Sequence, residues 1–123
     1  MQLEALGQAF SVCQVEDYSL VDLEDAYCFI GKTEEERSLV CPTAALPPNV
    51  IRRDDGWRAV RIQGVLAFSL VGVLAKIATI LADHGISIFA ISTYDTDYIL
   101  IKQENYQRAL EALGANGYPI VAR

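Results

Sequence analysis

Residues 57–102 read WRAVRIQGVLAFSLVGVLAKIATILADHGISIFAISTYDTDYILIK, and the periodicity changes several times within this stretch. The segment 57–62 alternates in part, is rich in residues that favour strands, and ends at Gln63-Gly64. This pattern is typical of a short strand followed by a turn. The stretch therefore starts with a strand, and a helical period follows it.

The longest apolar run predicts a helix from about Leu70 to His84. Val73, Ile77 and Ile80/Leu81 recur at helical spacing, as does His84, so one face of the helix is apolar. Ser69 is a suitable N-cap and Gly85 a suitable stop. At the end of the helix, His84 is expected to bond exposed carbonyl groups rather than to take part in catalysis.

Two strands, a helix and a last strand complete the pattern. Residues 86–92 and 98–102 are rich in β-formers, and the short polar side chains of 93–97 suit a hairpin loop between them. A helix over 103–113 follows, with Tyr106, Leu110 and Leu113 on one face and residues 114–117 as its stop, and then a strand over 118–122. The order strand, helix, strand, strand, helix, strand predicts the ferredoxin-like α+β (βαββαβ) arrangement, with two helices on one face of a four-stranded antiparallel sheet.

The apolar segment 65–82 is close to the length of a membrane span. Lys76 lies near its middle, where a charge costs about 2.5 to 3.5 kcal/mol on insertion. We therefore interpret the segment as a buried helix of a protein that has no membrane partner.

The first half of the chain predicts three strands, at 10–15, 25–31 and 38–41, joined by an acidic stretch and a TEEER turn. Pro42, Pro47 and Pro48 exclude a long helix before residue 50. We interpret this half as a reduced copy of the same unit, with its first helix lost or replaced by a loop.

Charge and composition exclude several function classes. The chain has 123 residues and a net charge of −6, from 10 basic and 16 acidic side chains. Nucleic acid is therefore not an expected partner, because its binding depends on clustered Lys and Arg. Three cysteines without a CxxC pair and one histidine predict neither a metal site nor a disulfide framework. Since the N-terminus has no secretory pattern, we expect free, buried thiols in the cytoplasm and no cofactor.

Three blocks of sequence are similar to a known family. SLVCP at 38–42, Trp57, and FSLVGVLAKIATILADHGISIFAISTYDTDYILI at 68–101 resemble the tandem ACT-domain proteins related to the CASTOR arginine sensors and to the regulatory region of aspartate kinases. The resemblance covers about residues 25–102, and 85–100 is its most specific part. It implies two tandem ferredoxin-like ACT units, a degenerate one at 1–56 and a complete one at 57–123. It also implies a ligand-responsive, non-catalytic role, and a homodimer that reproduces the assembly of longer relatives.

The predicted ligand site joins the entrance of the long helix to the hairpin. The first turn of a helix has N–H groups without internal acceptors, which suit a carboxylate, and Gly72 leaves room for a ligand. Asp97 could hold a cationic group, while Tyr94 could cover an apolar stem. The candidate ligand-binding residues are Phe68, Ser69, Leu70, Gly72, Val73, Thr93, Tyr94 and Asp97.

Alternatives to this site and function remain open. Gly72 could serve close packing and Ser69 only capping, while Asp95 and Asp97 could be solvated turn formers. The leading function is a regulatory sensor of a small amino acid or similar metabolite, which could act on a protein partner. A ligand-free protein interaction module is the alternative. An enzyme has the least support, since the sequence has no GxSxG elbow, P-loop or HExxH motif.

Overall fold

A computed structural model describes residues 2–63 and 72–123 of the chain. Seven strands and two α-helices lie in these ranges. They are β1 (Leu3–Val15), β2 (Phe29–Lys32), β3 (Arg37–Pro42), β4 (Val50–Ile62), α1 (Val73–Asp83), β5 (Ile88–Ser92), β6 (Asp97–Lys102), α2 (Gln103–Ala115) and β7 (Ile120–Ala122). A 3₁₀ turn at Thr43–Ala45 follows β3.

The chain forms two compact units. The helical unit consists of Met1–Gly7 and Arg58–Arg123, and the strand unit consists of Gln8–Trp57. Both β1 and β4 contribute residues to each unit. The predicted boundary at 56/57 differs from this grouping mainly at Met1–Gly7, which belongs to the helical unit.

The helical unit has the predicted succession of elements with one additional strand. Its strand order is β7-β1-β4-β6-β5. The start of β1 therefore lies between β4 and β7, which correspond to the first and last strands of the predicted four-stranded sheet. Leu3 and Ala5 of β1 pair in parallel with Ile120 and Ala122 of β7. The four-stranded sheet predicted for this unit is therefore corrected to a five-stranded one. The composition of residues 3–9, LEALGQA, is poor in β-formers and gave no strand signal.

Both helices pack their apolar faces on the core of this unit. In α1, Ile77 and Leu81 are fully buried, and in α2, Tyr106 and Leu113 are buried with Leu110 packed against them. The predicted face of α2 is thus confirmed, and so is that of α1 except at His84, which is exposed. The buried core of the unit comprises Leu3, Val60, Ile62, Ile77, Leu81, Ile86, Ile99, Ile101, Tyr106, Ala109 and Leu113.

The two helices run antiparallel, and their contacts show it. Gly72, at the start of α1, lines a groove with Asn116, just after α2, and Arg108, in the middle of α2, donates a hydrogen bond of 2.8 Å to the carbonyl oxygen of His84 at the end of α1. The ring of His84 donates from Nδ1 to the carbonyl oxygen of Ile80 at 2.8 Å. The expectation that His84 bonds the exposed carbonyls of the helix end is therefore met.

The helix α1 begins later than predicted. It starts at Val73, because Gly72 has a left-handed backbone with φ of +80° that a helix cannot continue through. Gly72 is therefore the residue that precedes the helix. Ser69, the predicted N-cap, lies outside the described residues.

The strand unit has antiparallel pairs and no α-helix among its residues, all of which the structure describes. The strand β3 pairs with β1, with Cys41 opposite Ser11, and with β2 on its other side, with Val40 opposite Phe29. An apolar cluster of Cys13, Val15, Leu39 and Cys41 fills one side. The interpretation of this unit as a degenerate ACT copy stays a prediction.

No helix in the described part of the chain has the length and apolar character that crossing a membrane requires. The segment 65–82, for which a span was considered, includes residues outside that part. Its described end belongs to α1, which has 11 residues.

Candidate functional site

An open groove runs along the exposed side of α1 to the loop that follows α2. Its volume is about 560 Å³. The start of α1 and the end of α2 meet here because the helices are antiparallel. The lining residues are Gly72, Ala75, Lys76, Thr79, Ile80, Asn116 and Tyr118.

Gly72 forms one end of this groove, at the first turn of α1. A Cβ added to Gly72 would meet no atom of the described residues within 4 Å, so the space beside its backbone is open on their side. The backbone N–H of Lys76 donates a hydrogen bond of 2.9 Å to the carbonyl oxygen of Gly72. The N–H groups of Val73, Leu74 and Ala75 therefore have no acceptor within the helix. The helix dipole adds about 0.3 to 1 kcal/mol in favour of an anion at such a position.

The groove combines positive, polar and apolar groups. Lys76 and Thr79 are exposed on the same side of α1, and Ile80 is half-buried next to them. Asn116 is held in place, since its Nδ2 donates a hydrogen bond of 2.8 Å to the carbonyl oxygen of Ala112. A ligand with a carboxylate and a short apolar part would match these groups.

The hairpin between β5 and β6 is a tightly bonded turn. Thr93 donates to the carbonyl oxygen of Thr96 both from its N–H, at 2.8 Å, and from its hydroxyl, at 3.0 Å. The same hydroxyl accepts the N–H of Thr96 at 3.4 Å. The hydroxyl of Thr93 thus has a structural task within the turn.

Asp97 and Tyr94 differ strongly in their surroundings. Asp97 is half-buried, and its Oδ1 accepts a hydrogen bond of 2.5 Å from the hydroxyl of Ser92, its partner in the β5–β6 ladder. Tyr94 is 81% exposed at the tip of the hairpin. A carboxylate held by Ser92 and an exposed aromatic ring are compatible with the roles predicted for them.

The structure brings together part of the predicted site. Gly72 lines the groove, while the side chain of Val73 packs on the core and leaves its backbone N–H for the site. Thr93, Tyr94 and Asp97 share the hairpin, and none of them is among the lining residues of this groove. Three predicted site residues, Phe68, Ser69 and Leu70, lie outside the described residues.

Sequence reasoning missed Asn116 and Tyr118 as groove residues. The Asn116-Gly117 pair was interpreted only as the end of α2. The signal was present in the predicted topology, because antiparallel helices place the end of α2 beside the start of α1. Lys76 was considered only as a charge within the apolar run.

This architecture, two antiparallel helices packed on a sheet that includes β4, β5, β6 and β7, defines a ferredoxin-like α+β protein. Residues 52–115 match the family model described as the ACT domain. The match spans more than half of the chain, which therefore belongs to the ACT domain family.

Several solved structures are similar to this chain. A protein from Agobacterium tumefaciens has 25% identity and a TM-score of 0.86, with 99% of this chain and 92% of that chain covered. A Vibrio cholerae protein of unknown function, described as a possible transport protein, has 27% identity and a TM-score of 0.69, with coverages of 93% and 88%. The ligand-free regulatory subunit of aspartate kinase from Thermus thermophilus has 15% identity and a TM-score of 0.60, with coverages of 89% and 93%. The comparison with curated proteins gave no match.

Proposed function

We propose that this chain is a non-catalytic regulatory module that binds a small amino acid, or a similar metabolite, at the entrance of α1. The observation that carries the proposal is the open, left-handed Gly72 at the first turn of α1, in a groove that also contains Lys76. Membership of the ACT domain family supports a regulatory role. The proposal places the protein in the cytoplasm, where its three free cysteines would stay reduced.

The ligand would be held at both of its charged ends. Its carboxylate would accept hydrogen bonds from the N–H groups of the first turn of α1, with the ammonium group of Lys76 nearby. Its amino group would be held by Asp97, whose carboxylate is fixed by Ser92. Tyr94 would cover the apolar part of the ligand.

Binding would be transmitted through assembly. A ligand changes the state of a protein only when it binds one arrangement better than another. We propose a homodimer in which the occupied site favours one arrangement, and a protein partner that recognises that arrangement.

A screen of the twenty amino acids tests this function. Thermal unfolding and light scattering of the purified protein are measured with each amino acid in excess. A ligand present at 100 times its Kd stabilises the folded state by about 2.7 kcal/mol, so the true ligand raises Tm measurably. The absence of any change in Tm or in mass with all twenty would overturn the sensor proposal.

Asp97→Ala and Asp95→Ala form a matched pair for the site. Both remove a carboxylate from the same hairpin, but only Asp97 is held by Ser92. In isothermal titration with the amino acid that the screen identifies, Asp97→Ala should lose affinity and Asp95→Ala should retain it. Unchanged affinity of Asp97→Ala would remove Asp97 from the site.

A ligand-free interaction module remains the second candidate, and one observation favours it. The strand β5 lies at the end of the strand order of the helical unit, and Phe89 on it is 38% exposed. An edge strand of this kind can pair with a strand of another protein. This candidate predicts association that is the same with and without every amino acid of the screen.

A further inference from the structure

Three thiols lie close together in the strand unit. Cys13 is on β1, Cys41 is on β3, and Cys28 directly precedes β2. Cys13 and Cys41 belong to the apolar cluster of this unit, and the partly buried Cys28 packs against it. All three are free cysteines. In the described ranges, no group of three His, Cys, Asp or Glu side chains is arranged to hold a metal ion. Disulfide formation is the remaining chemistry that would join two of these thiols.

The strand register singles out one pair of thiols. The β2–β3 ladder ends with Phe29 opposite Val40, and its antiparallel register, continued by one residue, brings Cys28 opposite Cys41. Directly opposite residues have Cα atoms about 4.5 to 5.5 Å apart. This range lies within the Cα separation of about 4.4 to 6.8 Å that a disulfide requires, so a Cys28 that continues the register can bond to Cys41.

Cys13 does not meet the same condition. On β1, Cys13 faces Leu39 while Ser11 faces Cys41, so Cys13 and Cys41 are diagonal neighbours. Diagonal neighbours are about 7 to 8 Å apart, beyond the reach of a disulfide without movement of the backbone.

We propose that Cys28 and Cys41 form a reversible intramolecular disulfide when the protein meets a small-molecule disulfide such as oxidised glutathione. The thiolate of Cys28 attacks one sulfur of the oxidant, which forms a mixed disulfide and releases one glutathione thiolate. The thiolate of Cys41 then attacks the sulfur of Cys28 and releases the second glutathione. Two protein thiols lose two electrons, the oxidant gains them, and the two protons of the thiols end on the two glutathione molecules.

Exposure sets the order of the two steps. Cys28 is half-buried and can be reached by the oxidant, whereas Cys41 is 3% exposed. Burial, together with the nearby Asp25 and Asp22, raises the pKa of the Cys28 thiol. Burial and the neighbouring thiols raise the pKa of Cys41 to about 12. Both steps are therefore slow at neutral pH and become faster in mild alkali.

We expect a disulfide between directly opposite residues to be easy to reduce. Directly opposite side chains have Cβ atoms about 4.5 to 5.5 Å apart, while a relaxed disulfide has about 3.8 Å. The strands must draw together to form the bond, and strained disulfides have more oxidising potentials. A bond of this kind reports the redox state of its surroundings rather than stapling the fold permanently.

Peptide mapping of the full chain tests the proposal. The reduced protein is treated with oxidised glutathione in mildly alkaline buffer, remaining thiols are blocked, and the chain is cleaved after glutamate. Cleavage at Glu16 and Glu34 places the three cysteines on separate peptides. We expect the protein to lose two hydrogens, a linked Cys28–Cys41 peptide to appear, and dithiothreitol to restore both thiols.

Two variants sharpen the outcome. Cys13→Ser should form the same linked peptide, and Cys28→Ser should form no intramolecular disulfide. A Cys13–Cys41 link, a link between two chains, or a glutathione adduct on Cys28 that never resolves would overturn the proposal. Since the wild-type map alone distinguishes these products, the test does not depend on the folding of either variant.

Discussion

Thr96 donates a hydrogen bond of 2.9 Å from Oγ1 to the carbonyl oxygen of Ile62, and Thr96 is only 4% exposed. This bond fastens the turn between β5 and β6 to the end of β4. The chain leaves β4 at that point on its way to α1. Both parts of the proposed site, the hairpin and the helix entrance, therefore belong to the same end of the helical unit.

The first prediction concerns this bond. Thr96→Val keeps the shape of the side chain but removes the hydroxyl, so the carbonyl group of Ile62 loses a buried donor. We expect a loss of about 1 to 3 kcal/mol in the free energy of unfolding, measured by urea denaturation. Thr79→Val, on the exposed side of α1, is the control and should change stability by less than about 0.5 kcal/mol. Equal effects of the two substitutions would show that the hairpin is not fastened in this way.

The second prediction separates backbone strain from ligand binding. Gly72 and Gly56 have nearly equal positive φ angles, +80° and +84°, and a Cβ at either would meet no atom within 4 Å among residues 2–63 and 72–123. Alanine at either position should therefore cost about 1 kcal/mol of stability. Only Gly72→Ala places a methyl group at the first turn of α1.

The amino acid that raises Tm of the wild type is then titrated against both alanine variants. We expect at least a tenfold loss of affinity in Gly72→Ala, about 1.4 kcal/mol, and wild-type affinity in Gly56→Ala. Equal affinities of the two variants would place the ligand elsewhere. Because both substitutions introduce similar backbone strain, a general loss of stability cannot explain a difference in affinity between the two variants.

The third prediction concerns the start of β1, which carries no strand signal in the sequence. Glu4 on β1 accepts a hydrogen bond of 2.6 Å from Arg123 and lies 3.5 Å from Arg61, and its side chain is 9% exposed. Glu4→Gln leaves both arginines without this charge, and we expect a loss of about 2 kcal/mol in urea denaturation. Glu111→Gln, on the exposed side of α2, should have almost no effect. A stable Glu4→Gln protein would mean that backbone pairing and buried apolar side chains such as Leu3 and Leu6 hold β1 without these ion pairs.

Sequence periodicity predicted the helices because their apolar faces are long. The recurrence of Tyr106, Leu110 and Leu113 was sufficient to orient α2, and these residues do face the core. The start of β1 was missed because Leu3–Gly7 pairs with segments distant in sequence, and its alanine and glycine residues carry no strand signal. Such pairing depends on tertiary contacts that no local pattern contains.

The sequence predicted part of the candidate site, as it predicted part of the fold. Gly72 could be placed at the helix entrance, since a glycine before an apolar helix is a local signal. The use of the Thr93 hydroxyl within its own turn could not be foreseen, because a turn can be bonded in several ways. Asn116 could have been found by combining the predicted topology with the position of the α2 stop.

The last prediction follows from the burial of Cys41, which raises the pKa of its thiol from 9.0 to about 12. Below about pH 9 the thiol is protonated in both the folded and the unfolded chain, so it does not change stability with pH. Above that pH the unfolded chain loses the proton while the folded chain keeps it, so the stability falls as pH rises towards about 12.

The expected size of this effect is about 1.4 kcal/mol between pH 8 and pH 10, from the thiol alone. The Cys41→Ala variant lacks the thiol of Cys41 and keeps every other titratable group of the wild type. The difference in free energy of unfolding between the wild type and this variant should therefore shrink by about 1.4 kcal/mol over that range. Urea denaturation with a reductant present measures it, since the reductant keeps Cys28 and Cys41 from pairing. A difference that stays constant with pH would contradict the burial of a neutral thiol at Cys41.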